Sequence, residues 1–173
     1  LLEEDKQTAT EETESSEETT DKEEANADEA DSDEEEAAEA EADEAEAELE
    51  AAIEVENDLR SEIVTYALQF VGNRYKYGGT NPNTGVDCSG FTSYVMRHAA
   101  EVELPHSSGG QSRMGRQVSS SEMRPGDIIC YGSGKRINHV ALYIGNGQIV
   151  HASTERTGIK VSRWNYRTPV RIV

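Results

Sequence analysis

The chain has 173 residues and a formal net charge of −19, but its two parts differ sharply in composition. Residues 1–57 contain 27 acidic and two basic residues and no aromatic residue, whereas residues 58–173 contain eight acidic and 14 basic residues. The first part is too polar to bury a core, and the second has the length of one domain. The sequence has no basic stripe interleaved with aromatic residues and no apolar run long enough to span a membrane, which argues against nucleic-acid binding and a membrane span.

Residues 1–57 form a low-complexity acidic segment, for which we predict a disordered tail or linker that like-charge repulsion extends. Glutamate and alanine favour helix, however, and repulsion between like charges opposes it. The alternative is therefore that residues 34–55 belong to a longer helix that runs into Leu59. The predicted domain comprises residues 58–173.

Two helices are predicted at the start of this domain. The first covers residues 58–71, with Asn57 or Asp58 as its N-cap. The second covers residues 88–100, with Asp87 as its N-cap. Apolar residues recur at helical spacing in both segments: Leu59, Ile63, Ala67 and Val71 in the first, and Phe91, Val95 and Ala99 in the second.

Short strands are predicted after the helices, near residues 127–132, 138–144, 148–152, 159–162 and 168–173. Helices followed by strands indicate an α+β fold rather than an alternating α/β fold. The sequence Gly145-Asn146-Gly147 separates the second and third strands and predicts a hairpin. The polar loop at residues 107–115 is expected to form part of a substrate groove.

Cys88 is the candidate nucleophile, because it lies in the first turn of the second predicted helix. Unpaired backbone amides and the helix dipole favour a thiolate there, so we predict a lowered thiol pKa. The same amides could hold an oxyanion. Gly90 is expected to leave the approach open for a substrate backbone, since it has no side chain. The alternative is that Cys88 is a small buried apolar residue.

His139 and His151 are the candidate partners of the cysteine. His139 enters the first strand of the predicted hairpin and His151 leaves the second, so antiparallel pairing brings them together at the end away from the turn. Neutral imidazole is suited to accept the thiol proton, and a second polar group can fix its tautomer. We assign His139 as base and His151 as orienting residue; the alternative is that each is a structural histidine.

The other titratable residues receive structural interpretations. Cys130 lies in an apolar strand and is expected to fill the core, because a disulfide with Cys88 would block the nucleophile. His98 lies near the end of the second helix, where a cation interacts well with the dipole. The histidines and cysteines show no close metal-ligand spacing, and no phosphate-binding loop is present. We therefore expect no metal and no cofactor.

Several motifs together carry a resemblance to a known family: residues 75–79, 85–91, 104–108 with Gln111, 124–129, 138–147 and 151–152. In this order they resemble the NlpC-type cysteine peptidases of bacterial cell walls. The resemblance implies a papain-like α+β fold, with N-terminal helices packed on an antiparallel sheet, and a triad of Cys88, His139 and His151. It also implies cleavage of peptidoglycan stem peptides between γ-linked D-glutamate and the following diamino acid, through a thioester.

The resemblance also implies substrate-binding residues. Tyr77 matches an aromatic residue beside the nucleophile, whose hydroxyl binds substrate or the oxyanion. Asp87 and Ser89 match positions that bind the free amine of the stem peptide in members that require one, and an N-cap role for Asp87 is compatible with this. His106 stands where many members have arginine, and we expect it to have a structural role in its loop.

The predicted protein is a secreted or wall-associated monomer whose partner is the peptidoglycan stem peptide. Secretion is implied only by the resemblance. Two alternatives remain open at this point: an N-acetylmuramoyl-L-alanine amidase of related fold, and a wall-binding module without activity.

Overall fold

The computed structural model describes residues 30–173, with side chains from residue 37 onward. Residues 1–29, which belong to the predicted acidic tail, lie outside the described residues. A boundary between two compact units falls after Glu44. The first unit is described only as the helical residues 30–44, and the second, residues 45–173, carries all the features considered below.

The first helix, α1, covers Ala30–Leu68 and is much longer than predicted. The predicted start at Asn57 or Asp58 is wrong, because the helix passes through both residues. Over residues 30–57 the structure follows the alternative of a longer helix, since alanine and glutamate favour helix strongly enough to offset charge repulsion. Neither α1 nor any other helix within residues 30–173 is long and apolar enough to cross a membrane.

The remaining elements form an α+β domain with a five-stranded antiparallel sheet. In chain order they are β1 (Thr80–Asn81), β2 (Gly85–Val86), α2 (Cys88–Ala100), α3 (Ser108–Gln111), β3 (Ile128–Ser133), β4 (Arg136–Gly145), β5 (Gln148–Thr154), β6 (Gly158–Arg163) and β7 (Pro169–Ile172). The sheet order is β6-β5-β4-β3-β7. The second predicted helix and all five predicted strands are confirmed, and the predicted polar loop contains the short helix α3.

Alternation along the strands gives the sheet two apolar faces. One face packs with α1 and α2, and its buried core includes Ile63, Ala67, Phe91, Val95, Cys130, Val140, Leu142 and Val150. The other face carries Ile129, Tyr131, Ala141, Tyr143, Ile149 and Ile172. Cys130 is fully buried in the first of these clusters, as predicted, and both cysteines are free.

Arg60 joins α1 to the start of β3. Its Nη1 donates to Asp127 Oδ1 at 2.8 Å and to the carbonyl oxygen of Pro125 at 2.9 Å. Glu56 accepts from Arg60 Nε at 3.0 Å and from Arg124 Nη1 at 2.8 Å. These charge-assisted bonds hold the last turns of α1 against the sheet.

A buried glutamine, Gln111, ties α3 to the first turns of α2. Its Nε2 donates to the carbonyl oxygens of Ser89 at 2.8 Å and Pro105 at 2.9 Å, and to Ser93 Oγ at 2.9 Å. Its Oε1 accepts from Thr92 Oγ1 at 2.6 Å. Because Ser89 follows Cys88 directly, this network fixes the turn that carries the candidate nucleophile.

We predict that Gln111→Leu lowers the free energy of unfolding by about 1–3 kcal/mol, because it removes four hydrogen bonds of a buried side chain, those to Ser89, Ser93, Pro105 and Thr92. Urea denaturation followed by circular dichroism measures the change. Gln117→Leu is the matched control, since Gln117 is exposed. Equal effects of the two substitutions would contradict the structural role of this network.

Candidate active site

Cys88 is the first residue of α2, as predicted. Asp87 is the N-cap, with extended backbone (φ −92°, ψ −178°), and its Oδ1 accepts from the amide of Gly90 at 2.8 Å. The Cys88 side chain is partly buried and packs against the core cluster beneath α2.

The thiol pKa is raised rather than lowered. Burial is the main cause, and the charge of Asp87 adds to it. The backbone amides of Val140, Ser89 and Cys88 lower the pKa, as expected at a helix start, but they do not outweigh burial. The prediction of a lowered thiol pKa is therefore wrong. Burial of the sulfur away from water destabilises the thiolate more than these amides stabilise it.

Gly90 is needed for close backbone packing rather than for substrate access. A Cβ at this position would lie 2.2 Å from the carbonyl oxygen of Gly79 and 2.9 Å from Asp87 Oδ1. Only glycine therefore lets the turn at residues 77–79 pack onto α2. The prediction that Gly90 keeps the approach open for a substrate backbone is corrected accordingly.

The hairpin of β4 and β5 brings the two histidines together, as predicted. Asn146 and Gly147 form its two-residue turn with φ values of 52° and 71°, typical of a type I′ turn. Pairing of Leu142 with Val150 makes His139 and His151 diagonal neighbours on one face. His139 Nε2 and His151 Nδ1 lie 2.8 Å apart.

Ser162 extends this pair into a hydrogen-bonded chain that the sequence did not reveal. Its Oγ lies 2.9 Å from His151 Nε2. If His151 donates from Nε2 to Ser162, its Nδ1 accepts from His139 Nε2, and His139 Nδ1 is left as a proton acceptor. Pairing of β5 with β6 places Ser162 opposite Ile149, diagonal to His151, so correct strand pairing is the signal that could have identified it.

Both imidazoles are buried, with 8% of His139 and 1% of His151 exposed, and both pKa values are lowered. Burial lowers the pKa of His139 to about 4, with a further contribution from the charge of Arg167. Burial also lowers the pKa of His151, assisted by the charges of His139 and Lys160. At neutral pH the site therefore holds a protonated thiol and two neutral imidazoles.

The tyrosine that packs near Cys88 is Tyr75 rather than Tyr77, and substrate binding by Tyr77 stays a prediction. Tyr77 lies in a turn with 84% of its surface exposed. Tyr75 forms a bridge with Val86 and packs with Cys88 against the core. Burial raises the pKa of Tyr75, and the nearby Cys88 raises it further.

Asp87 and Ser89 lie in a saturated network behind the nucleophile. Asp87 Oδ2 accepts from the amide of Gly78 at 3.0 Å, and Oδ1 lies 2.7 Å from His106 Nε2. Ser89 is 6% exposed, and its hydroxyl faces Asp87 Oδ1 at 3.5 Å. The N-cap role of Asp87 is confirmed, whereas the structural role of His106 and amine binding by Asp87 or Ser89 stay predictions.

The segment between β6 and β7 borders the histidine pair. The ring centroid of Tyr166 lies 5.3 Å from that of His151 and 5.2 Å from that of Tyr131, whose hydroxyl donates to the carbonyl oxygen of Trp164 at 2.5 Å. Arg167 Nη2 donates to Asn138 Oδ1 at 3.1 Å. Local sequence carries no signal for these contacts, since strand pairing alone brings residues 164–167 to the site.

Comparison with known proteins places this site in a family. Residues 72–170 match the model of the NlpC/P60 family. Murein DD-endopeptidase MepS/Murein LD-carboxypeptidase of Escherichia coli (strain K12) is 41% identical over 108 residues, which are 62% of this chain and 56% of that protein. Probable endopeptidase p60 of Listeria seeligeri is 42% identical over 98 residues, 57% of this chain and 18% of that protein.

Solved structures agree with this placement. The NlpC/p60 domain of the peptidoglycan hydrolase SagA aligns with a TM-score of 0.61 and 32% identity, over 66% of this chain and 97% of that one. The peptidoglycan hydrolase RipB from Mycobacterium tuberculosis aligns with a TM-score of 0.60 and 29% identity, over 67% of this chain and 64% of that one.

The chain spans about half the length of the Escherichia coli relative and less than a fifth of the Listeria seeligeri protein. The match to the family model nevertheless covers more than half of this chain, including Cys88, His139 and His151. The chain belongs to the NlpC/P60 family.

Proposed function

We propose that this protein is a cysteine peptidase that hydrolyses peptidoglycan stem peptides. Cys88 is the nucleophile, His139 the general base and acid, and His151 the orienting residue. The observation that carries the proposal is the hydrogen-bonded chain Ser162–His151–His139, which ends on the strand whose Val140 amide lies beside the Cys88 thiol. Relatives named as murein endopeptidases and peptidoglycan hydrolases support the substrate class.

The reaction begins as His139 Nδ1 takes the thiol proton while the sulfur attacks the scissile carbonyl. The backbone amide of Cys88 and the hydroxyl of Tyr75 donate to the oxyanion of the tetrahedral intermediate. His139 then returns the proton to the leaving amine, and a thioester remains on Cys88. Water attacks the thioester and loses a proton to His139, and collapse releases the carboxylate product and the thiol.

The raised thiol pKa and lowered imidazole pKa make proton transfer before attack unfavourable. Transfer and attack therefore proceed together, with charge developing only when the oxyanion donors can stabilise it. His151 supports the imidazolium by accepting from His139 Nε2, and Ser162 keeps His151 in the tautomer that can accept.

The proposed scissile bond joins γ-linked D-glutamate to the diamino acid that follows. A second candidate is a bond between two D-configured centres, favoured by 41% identity to a relative named as a DD-endopeptidase. Cleavage of the muramoyl–L-alanine amide, or binding without turnover, would identify the amidase or the wall-binding module instead.

The first prediction concerns Cys88. Mass spectrometry of purified muropeptides incubated with the protein should show cleavage after γ-D-glutamate, and Cys88→Ala should abolish it because no other residue supplies the nucleophile. Cys130→Ala is the matched control, since Cys130 lies in the core and should leave turnover intact. Persistent cleavage by a folded Cys88→Ala protein would refute the assignment.

The second prediction concerns pH. Because burial keeps His139 neutral, kcat/KM should fall as pH decreases through about 4, where His139 becomes protonated and can no longer accept the thiol proton. Steady-state rates on a stem peptide between pH 3 and 8, with circular dichroism at each pH, would measure this. An acid limb centred near 6.5 in a folded protein would argue against a buried neutral base.

The third prediction concerns Ser162. Ser162→Ala should lower kcat by about tenfold with little change in KM, because loss of one hydrogen bond of roughly 1 kcal/mol or more releases the His151 tautomer. Ser162→Thr should restore most of the rate, as it retains the hydroxyl. Equal rates for the alanine variant and the wild type would remove Ser162 from the site.

A further inference from the structure

Arg167 is held at the edge of the histidine pair by two neutral groups. Its Nη2 donates to Asn138 Oδ1 at 3.1 Å, and Asn138 directly precedes His139. Its guanidinium carbon lies 5.8 Å from the centroid of the Tyr131 ring. Its charge also lowers the pKa of the nearby Tyr166 hydroxyl, although burial raises that pKa overall. These contacts fix the position of the guanidinium without neutralising it.

No carboxylate pairs with Arg167 among the residues whose side chains the structure describes. The four ion pairs found within residues 37–173 involve Arg60, Arg124 and His106 instead. A guanidinium has five N–H donors, and the hydrogen bond to Asn138 leaves donors that could bind an anion in bidentate geometry.

Without a bound substrate, the positive charge of Arg167 disfavours protonation of His139, which the proposed mechanism requires. Its charge lowers the pKa of His139 and so disfavours the imidazolium that forms during attack on the substrate. A bound anion would cancel that effect. A negative charge that the substrate brings to Arg167 would therefore favour turnover.

We propose that Arg167 binds a free carboxylate of the stem peptide next to the scissile bond. This inference rests on the proposed function. A γ-linked D-glutamyl residue keeps its α-carboxylate free, and a diamino acid can carry a second free carboxylate on the other side of the bond. Either carboxylate would pair with Arg167, and its arrival would also make His139 a stronger base during turnover.

The test compares the full chain with Arg167→Gln on two stem peptides that differ only by amidation of the D-glutamyl α-carboxylate. For the wild type, amidation should lower kcat/KM by about tenfold or more, as expected for loss of a charge-assisted pair. Arg167→Gln should lose the same factor on the free acid and cleave both peptides equally. Arg97→Gln is the charge-matched control, because Arg97 is exposed in the last turn of α2, at the opposite end from Cys88, and should retain the preference.

A third peptide, amidated at the free carboxylate of the diamino acid, separates the two sources. If amidation of one carboxylate lowers kcat/KM of the wild type but not that of Arg167→Gln, that carboxylate is the one that Arg167 binds. Indifference of the wild type to both amidations would overturn the proposal. So would an Arg167→Gln variant that retains the preference, or one that slows all three peptides by the same factor.

Calorimetric binding to the inactive Cys88→Ala protein separates this inference from the proposed function. Tighter binding of the free acid, lost in Cys88→Ala/Arg167→Gln, would support carboxylate recognition even if the wild type cleaves a different bond or none. Cleavage after γ-D-glutamate with no carboxylate preference in rate or binding would support the proposed function and overturn the role of Arg167. Failure of every peptide to bind would overturn both.

Discussion

The hydrogen bond between His139 Nε2 and His151 Nδ1 is the contact on which the rest of the site depends. It exists because the turn at Asn146-Gly147 pairs Gly145 with Gln148, and a bulge between Tyr143 and Gly145 then shifts the register by one residue, so that Leu142 pairs with Val150. A slip of one residue would turn His151 to the opposite face of the sheet. The turn and the bulge beside it therefore together place the two histidines on the same face of the hairpin.

Burial governs the protonation states of this site more than the helix start does. The amides at the start of α2 favour negative charge on Cys88, yet the thiol pKa is raised, and the imidazole pKa values are lowered by the same exclusion of water. A site of this kind holds few charges at rest and forms them with the substrate in place. The charges of Asp87, Lys160 and Arg167 border the site, and the role proposed for Arg167 combines its charge with an anionic substrate.

The turn that carries Cys88 is held in place because its polar groups are already paired. Asp87 caps α2 and binds the Gly78 amide, the Gly79 carbonyl packs against Gly90, and Gln111 binds the carbonyl of Ser89. Residues next to Cys88 therefore hold the nucleophile in place from behind. This leaves Tyr75 and the segment at residues 164–167 as the parts of the site best placed to meet a substrate.

The sequence by itself determined the features that depend on local spacing: helix α2 with its cap at Asp87, the five strands, the hairpin turn and the approach of His139 to His151. It misplaced the start of α1, because propensity carries that helix through the residues that would have capped it. Only the tertiary structure selected Tyr75 over Tyr77, added Ser162 and Arg167, and reversed the expected shift of the Cys88 pKa. These findings depend on burial and on contacts formed by tertiary packing. The spacing of neighbouring residues in the sequence encodes neither burial nor such contacts.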